Sequence, residues 1–156
     1  LALASVATRR GRDKDLAKAA KAAGVPLAAP ARFAAGTPYS AFWVAPDMWF
    51  VEAPFATLED LAKHLKTALG EAASITEQTD AWVRFDISAP DLSSLLERLS
   101  NLDLASLPIG YASRTVIEHL GSYLIKRSDT EVTLYGPRAS AQSLLHALEV
   151  TAKSVI

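Results

Sequence analysis

Two stretches set 83 residues apart constrain this chain more than any other feature. "SAFWVAPDMWFVEAPFATLEDLAKHL" (40–65) lies over "YLIKRSDTEVTLYGPRASAQSLLHAL" (123–148) without a gap once Pro54 is set over Pro137. Trp49 and Val51 then fall on Val132 and Leu134, Thr57 on Ser140, and Leu61 and Leu65 on Leu144 and Leu148. The turn residues Pro46-Asp47 fall on Asp129-Thr130. Each copy reads as a hairpin, an X-Pro turn and a capped helix. A helix precedes each hairpin at comparable distance. The spacing predicts a single domain over 1–156 made of two pseudo-repeats, about 1–80 and 81–156, related by duplication.

The remaining elements follow from local pattern. "RDKDLAKAAKAAGVPL" predicts a helix with acidic residues near its start, stopped by Gly24 and Pro26. A turn-rich Ala/Pro linker is expected from Leu27 to Pro38. "YSAFWV" and "MWFVEA" read as two strands of a hairpin around Ala45-Pro46-Asp47. In "TLEDLAKHLKTALG", Leu58, Leu61, Ala62, Leu65 and Leu69 share one helical face, with Thr57 as the expected N-cap and Gly70 as the stop. In "AWVRFDIS", Val83, Phe85 and Ile87 alternate with Trp82, Arg84 and Asp86, a strand with one apolar and one mixed face. "DLSSLLERLSNL" predicts a helix after Pro90. "RTVIEHL", "SYLIKR" and "EVTLY" predict three strands, the last two joined at Ser128-Asp129-Thr130, before a final helix capped by Ser140. The fold class is α+β, with mostly antiparallel sheets in two pseudo-repeated halves.

Composition narrows the function. The 16 basic and 17 acidic side chains leave a formal net charge of −1, without the basic field that a nucleic-acid partner requires. No apolar run approaches the ~18 residues needed to span a bilayer, so no membrane partner is expected. The opening "LALASVATRRGRDKD" is too short in its apolar part for a secretory leader, and a cytoplasmic location is expected. With no cysteine, thiolate metal sites, iron–sulfur clusters and cysteine nucleophiles are excluded. Half the residues are hydrophobic and mean hydropathy is +0.15, which points to a full core plus a protein interface.

No catalytic motif stands out. His64, His119 and His146 are far apart and lack metal-ligand spacing. His64 and His146 sit on the polar sides of their helices. His119 is expected in a strand beside Glu118, and neighbours in a strand point to opposite faces. There is no phosphate-binding glycine loop and no G-x-S-x-G elbow. Seven of the twelve aromatics (Phe33, Tyr39, Phe42, Trp43, Trp49, Phe50, Phe55) fall within 23 residues, on both faces of the first hairpin. They are either buried on both sides or part of a partner surface. Arg114, Arg127 and Arg138 bracket the final strands as candidate anion or carboxylate contacts. In "YGPRASAQSLLHALE" the proline, cap and leucines recur in the first copy, where Ala53 and Phe55 replace Gly136 and Arg138. Trp43, Trp49, Arg114, Gly136 and Arg138 are therefore the candidate partner contacts, with no catalytic, cofactor-binding or metal residue assigned.

The stretches "ALASVATRRGR", "APDMWFVEAP", "WVRFDISAPDLSSLLERLSNLDL" and "RTVIEHLGSYLIKRSDTEVTLYGPRASAQSLLHALE" together resemble the gamma subunit of heterotetrameric sarcosine oxidase. That resemblance implies a fold like the folate-binding domain of the glycine-cleavage T-protein (aminomethyltransferase). It also implies a non-catalytic subunit of a flavoenzyme that demethylates sarcosine to glycine, makes hydrogen peroxide and passes the one-carbon unit to tetrahydrofolate. FAD, FMN, NAD and tetrahydrofolate would be held by partner alpha, beta and delta subunits, none by this chain. Two alternatives remain open. One is a folate- or pterin-binding protein with Trp82, Arg84, Asp86, Glu118 and Arg138 as its lining. The other is a stand-alone homodimer using the aromatic hairpin.

Overall fold

The computed structural model describes residues 1–155 and divides into two compact units, Leu1–Asp80 and Ala81–Ile156. The first unit runs β1 (Ala2–Thr8), α1 (Asp13–Ala23), β2 (Phe33–Ala34), β3 (Ser40–Ala45), β4 (Met48–Ala53), α2 (Leu61–Leu69) and β5 (Ala73–Glu77). Its antiparallel sheet has the order β2-β3-β4-β1-β5. The second runs β6 (Trp82–Ser88), α3 (Leu92–Leu96), β7 (Ala112–Ile117), β8 (Leu120–Lys126), β9 (Glu131–Pro137) and α4 (Ala141–Val155), with sheet order β6-β9-β8-β7. The path β-α-β-β-β-α and the pairing of the first strand with the fourth are common to both units. The α+β class with antiparallel sheets is as the sequence predicts.

Each unit has its own core. In the first, Ala4, Val6 and Val51 of the sheet pack with Leu16 and Ala20 of α1 and Leu61, Leu65 and Leu69 of α2. Helix α1 ends where Gly24 takes a left-handed φ of 71° and its N–H reaches the Ala20 and Lys21 carbonyls, a conformation glycine adopts without steric cost. In the second, Leu124, Val132 and Leu134 pack with Leu92, Leu95, Leu96, Leu144 and Leu148. Alternation along β6 holds as read: Phe85 and Ile87 pack against this core, while Arg84 and Asp86 belong to the other face.

The structure corrects four local expectations. Thr57 does not cap α2. Its hydroxyl donates to the Pro54 carbonyl at 3.4 Å, the helix begins at Leu61, and the Ala62 N–H donates instead to the Glu77 carboxylate at 2.9 Å. Ser140 does not cap α4 either; Arg138–Ser140 form a 3-10 turn that leads into the helix without a side-chain cap. Glu118 and His119 lie outside any strand, forming the two-residue turn between β7 and β8 at φ 48° and 68°. The stretch Leu27–Pro38 contains the short edge strand β2.

Candidate functional site

The mixed face predicted for β6 becomes a charged cluster because β9 lies beside it, with Arg84 opposite Tyr135 and Asp86 opposite Thr133. Arg84 forms an ion pair with Asp86 at 2.9 Å, and its guanidinium lies 6.0 Å from the centre of the Tyr135 ring. The buried Thr133 hydroxyl donates to Asp86 at 2.7 Å and accepts the Arg127 Nε–H at 2.9 Å. Arg84, Asp86, Arg127 and Thr133, with Ser88 and Glu131, line a cleft of about 410 Å³. On the same face the Trp82 and Tyr123 rings meet at 5.2 Å.

Electrostatics fix what this cleft can do. Burial pushes the Asp86 carboxyl up, but hydrogen bonds from Thr133 and Arg84, with the charges of Arg84 and Arg127, outweigh it and hold Asp86 below the usual carboxylate range. A carboxylate stabilised in its ionised form is a weak proton acceptor near neutral pH. Burial raises the Tyr123 hydroxyl above its ordinary value, against the opposing charge of Arg114. The cluster is suited to holding charge and shape, not to moving protons.

The histidines lie apart from this cluster. Glu118, Ser143 and His146 line one cleft of about 370 Å³, and no hydrogen bond links any two of them. His64 lines a separate cleft of about 330 Å³ with Tyr39, Asp60, Lys63 and Thr67. Among the described residues no group of three or more His, Cys, Asp or Glu is placed to hold a metal ion. No helix there is long and apolar enough to cross a membrane.

The candidate partner contacts occupy different settings. Trp43 and Trp49 face each other across β3 and β4, both half-buried. Trp49 packs on the first core and its Nε1–H donates to the Ala28 carbonyl at 2.7 Å. Phe42 and Phe50 are buried and meet edge to face at 5.5 Å. Arg114 is exposed and lies over Gly121. Arg138 is exposed, with its main-chain N–H on the Ala81 carbonyl. Gly136 requires a correction: it is buried in β9, where an added Cβ would stand 2.0 Å from Leu144 Cδ1. Its smallness serves the approach of α4, and it presents no surface to a partner. Of the residues read as a folate lining, Trp82, Arg84 and Asp86 share a face and Arg138 follows Pro137, which pairs with Trp82; Glu118 belongs to the other cleft. Sequence reasoning missed Thr133 in this network. Its one signal is a hydroxyl in the otherwise apolar run Val132–Tyr135.

Two α+β units of one topology, the second carrying a charged cleft, define the class of chain. Among solved structures this is the fold of a chain of heterotetrameric sarcosine oxidase from Corynebacterium sp. U-96, in a complex with pyrrole 2-carboxylate. The two match with a TM-score of 0.82 at 17% identity, over 98% of this chain and 80% of that one. No protein-family model matches the chain, and no curated protein matches it by sequence.

Proposed function

We propose that this chain is the gamma-type subunit of a heterotetrameric sarcosine oxidase, a non-catalytic member that supports the assembled flavoenzyme. The observation that carries this reading is the whole-chain likeness: nearly all of this chain and four-fifths of the matched chain superimpose, so the resemblance is not to one module of a larger polypeptide. The Arg84–Asp86–Thr133–Arg127 cluster supports it, because its chemistry is that of charge pairing. In this reading the alpha, beta and delta subunits hold FAD, FMN, NAD and tetrahydrofolate and carry out the oxidation of sarcosine. Co-expression with the three partner subunits of a sarcosine oxidase tests it. The chain is expected to co-purify in stoichiometric amount; a folded chain that stays outside the complex refutes the reading.

A further inference from the structure

Strand β7 is a sheet edge, paired with β8 alone. The two-residue turn Glu118–His119 joins them, with Ile117 facing Leu120 across it. Such a hairpin closes on a hydrogen-bonded pair, and bonded and non-bonded pairs then alternate. Ile117–Leu120, Thr115–Ser122 and Ser113–Leu124 are the bonded pairs in this register. Arg114 and Val116, opposite Tyr123 and Gly121, therefore turn their main-chain N–H and C=O groups outward. Among the described residues neither N–H finds an acceptor, and the Val116 carbonyl finds no donor; the Arg114 carbonyl takes the Ser113 hydroxyl at 3.1 Å.

Edges that face water are usually blunted by proline, a bulge, an inward charge or shortness. β7 runs six residues in unbroken register and has no proline or bulge. Its one charge does not guard the edge. The Arg114 guanidinium reaches back over β8, where a Cβ on Gly121 would stand 2.9 Å from Nη2. That guanidinium has no carboxylate partner among the described residues. Beside it Val116 is 55% exposed.

We propose that the β7 edge docks an extended, acidic segment of another subunit, added to the sheet as a further strand. Outward N–H and C=O groups repeating every second residue are matched by an extended polypeptide backbone. Swung outward from its place over β8, the Arg114 guanidinium, which has no carboxylate partner among the described residues, selects a carboxylate on that strand, and Val116 selects an apolar neighbour. A second copy of this chain fits less well. Twofold pairing about Thr115 sets Arg114 across from Val116 of the copy, leaving the two arginines as diagonal neighbours on one face, their backbone positions about 7–8 Å apart, and brings no carboxylate to either.

The inference rests on the assembly reading above, and one experiment separates the two. Wild type, Val116→Pro and Arg114→Glu are each co-expressed with the partner subunits. Circular dichroism first shows that each variant is folded; proline at 116 removes an N–H that points away from β8, and Arg114→Glu leaves the backbone untouched. Wild type is expected in the complex, with the Arg114 and Val116 amides exchanging on the order of a hundredfold more slowly than in the free chain. Arg114→Glu is expected to weaken entry by about tenfold or more, and Val116→Pro to reduce it at least about fivefold. Full entry of both variants, or unprotected 114 and 116 amides in the wild-type complex, overturns the edge while leaving the assembly reading intact. A wild-type chain that never enters overturns both. An isolated chain that dimerises, and becomes monomeric as Val116→Pro, assigns the edge to a second copy and rejects the acidic partner.

Discussion

Gly136→Ala puts the helix–sheet contact of the second unit to a quantitative test. The added Cβ would sit 2.0 Å from Leu144 Cδ1 and 3.5 Å from its Cγ, whereas carbon atoms in optimal contact stand about 3.5–4.0 Å apart. Leu144 is fully buried among Leu134, Leu148 and their neighbours, so its methyl has no open space to enter. Overpacking of this kind costs ~1–3 kcal/mol. Leu144→Ala alone leaves a void and costs ~2–5 kcal/mol. In that background the methyl added by Gly136→Ala grows into vacated space, so its penalty is expected to vanish, giving a coupling of at least ~1 kcal/mol in the double-mutant cycle. Urea unfolding of the isolated chain, followed by circular dichroism, reads all four variants. Additivity within ~0.5 kcal/mol would show that the two groups do not meet as described. So would a Gly136→Ala chain as stable as wild type, which would return Gly136 to the candidate partner contacts.

Lys126 is 4% exposed and its ammonium donates to the Leu104 and Leu107 carbonyls at 3.2 and 2.9 Å. Lys126→Met is expected to cost ~2–3 kcal/mol, because one buried and one partly buried carbonyl lose a charged donor. Asp129→Ala removes only a carboxylate whose side chain is 82% exposed, and is expected to cost under ~1 kcal/mol; equal urea midpoints for the two variants would refute the ranking. Thr133→Val removes the hydroxyl that helps hold Asp86 below the usual range. The Asp86 carboxyl, followed by NMR titration, is then expected to move up toward ordinary values. Because the folded-state value is the lower one, Asp86 stabilises the fold above the unfolded carboxylate pKa of about 4 and loses that contribution as pH falls through its folded value. The stability gap between wild type and Thr133→Val should therefore narrow below about pH 4; a gap independent of pH would refute the coupling.

The elements legible in the sequence are those whose periodicity has one dry side. Leu61, Leu65 and Leu69 mark α2, and Phe85 and Ile87 mark the inner face of β6. Strand β1 was not legible because Ala2 to Val6 is buried on both faces, which erases the alternation that identifies a strand. β5 is short and follows directly on a 3-10 turn at Gly70–Ala72, so Gly70 marked the end of α2 while nothing marked the strand behind it. The helix caps failed for a different reason. A Thr or Ser at the right spacing is a local signal, whereas the α2 N–H is satisfied by Glu77, fifteen residues further on. In the charged cluster, Trp82, Arg84 and Asp86 could be placed on one face from β6 alone. Thr133 and Arg127 could not, since only the pairing of Asp86 with Thr133 brings them there.

Comparison of the two units bears on the open edge. Each first hairpin strand has an outer neighbour: β3 has β2, and β8 has β7. In the first unit that neighbour is a two-residue stub, Phe33–Ala34, and the sheet gains a fifth strand on its opposite side through β5. The shared topology is therefore complete without a long outer strand at this position. In the second unit the outer strand extends to six residues, and the groups that its length adds at Arg114 and Val116 point away from the sheet. A longer edge exposes more unpaired backbone and raises the hazard of indiscriminate pairing, so length there needs a reason other than the fold itself. A partner strand supplies that reason, and it predicts that blocking the outward groups will change association far more than stability.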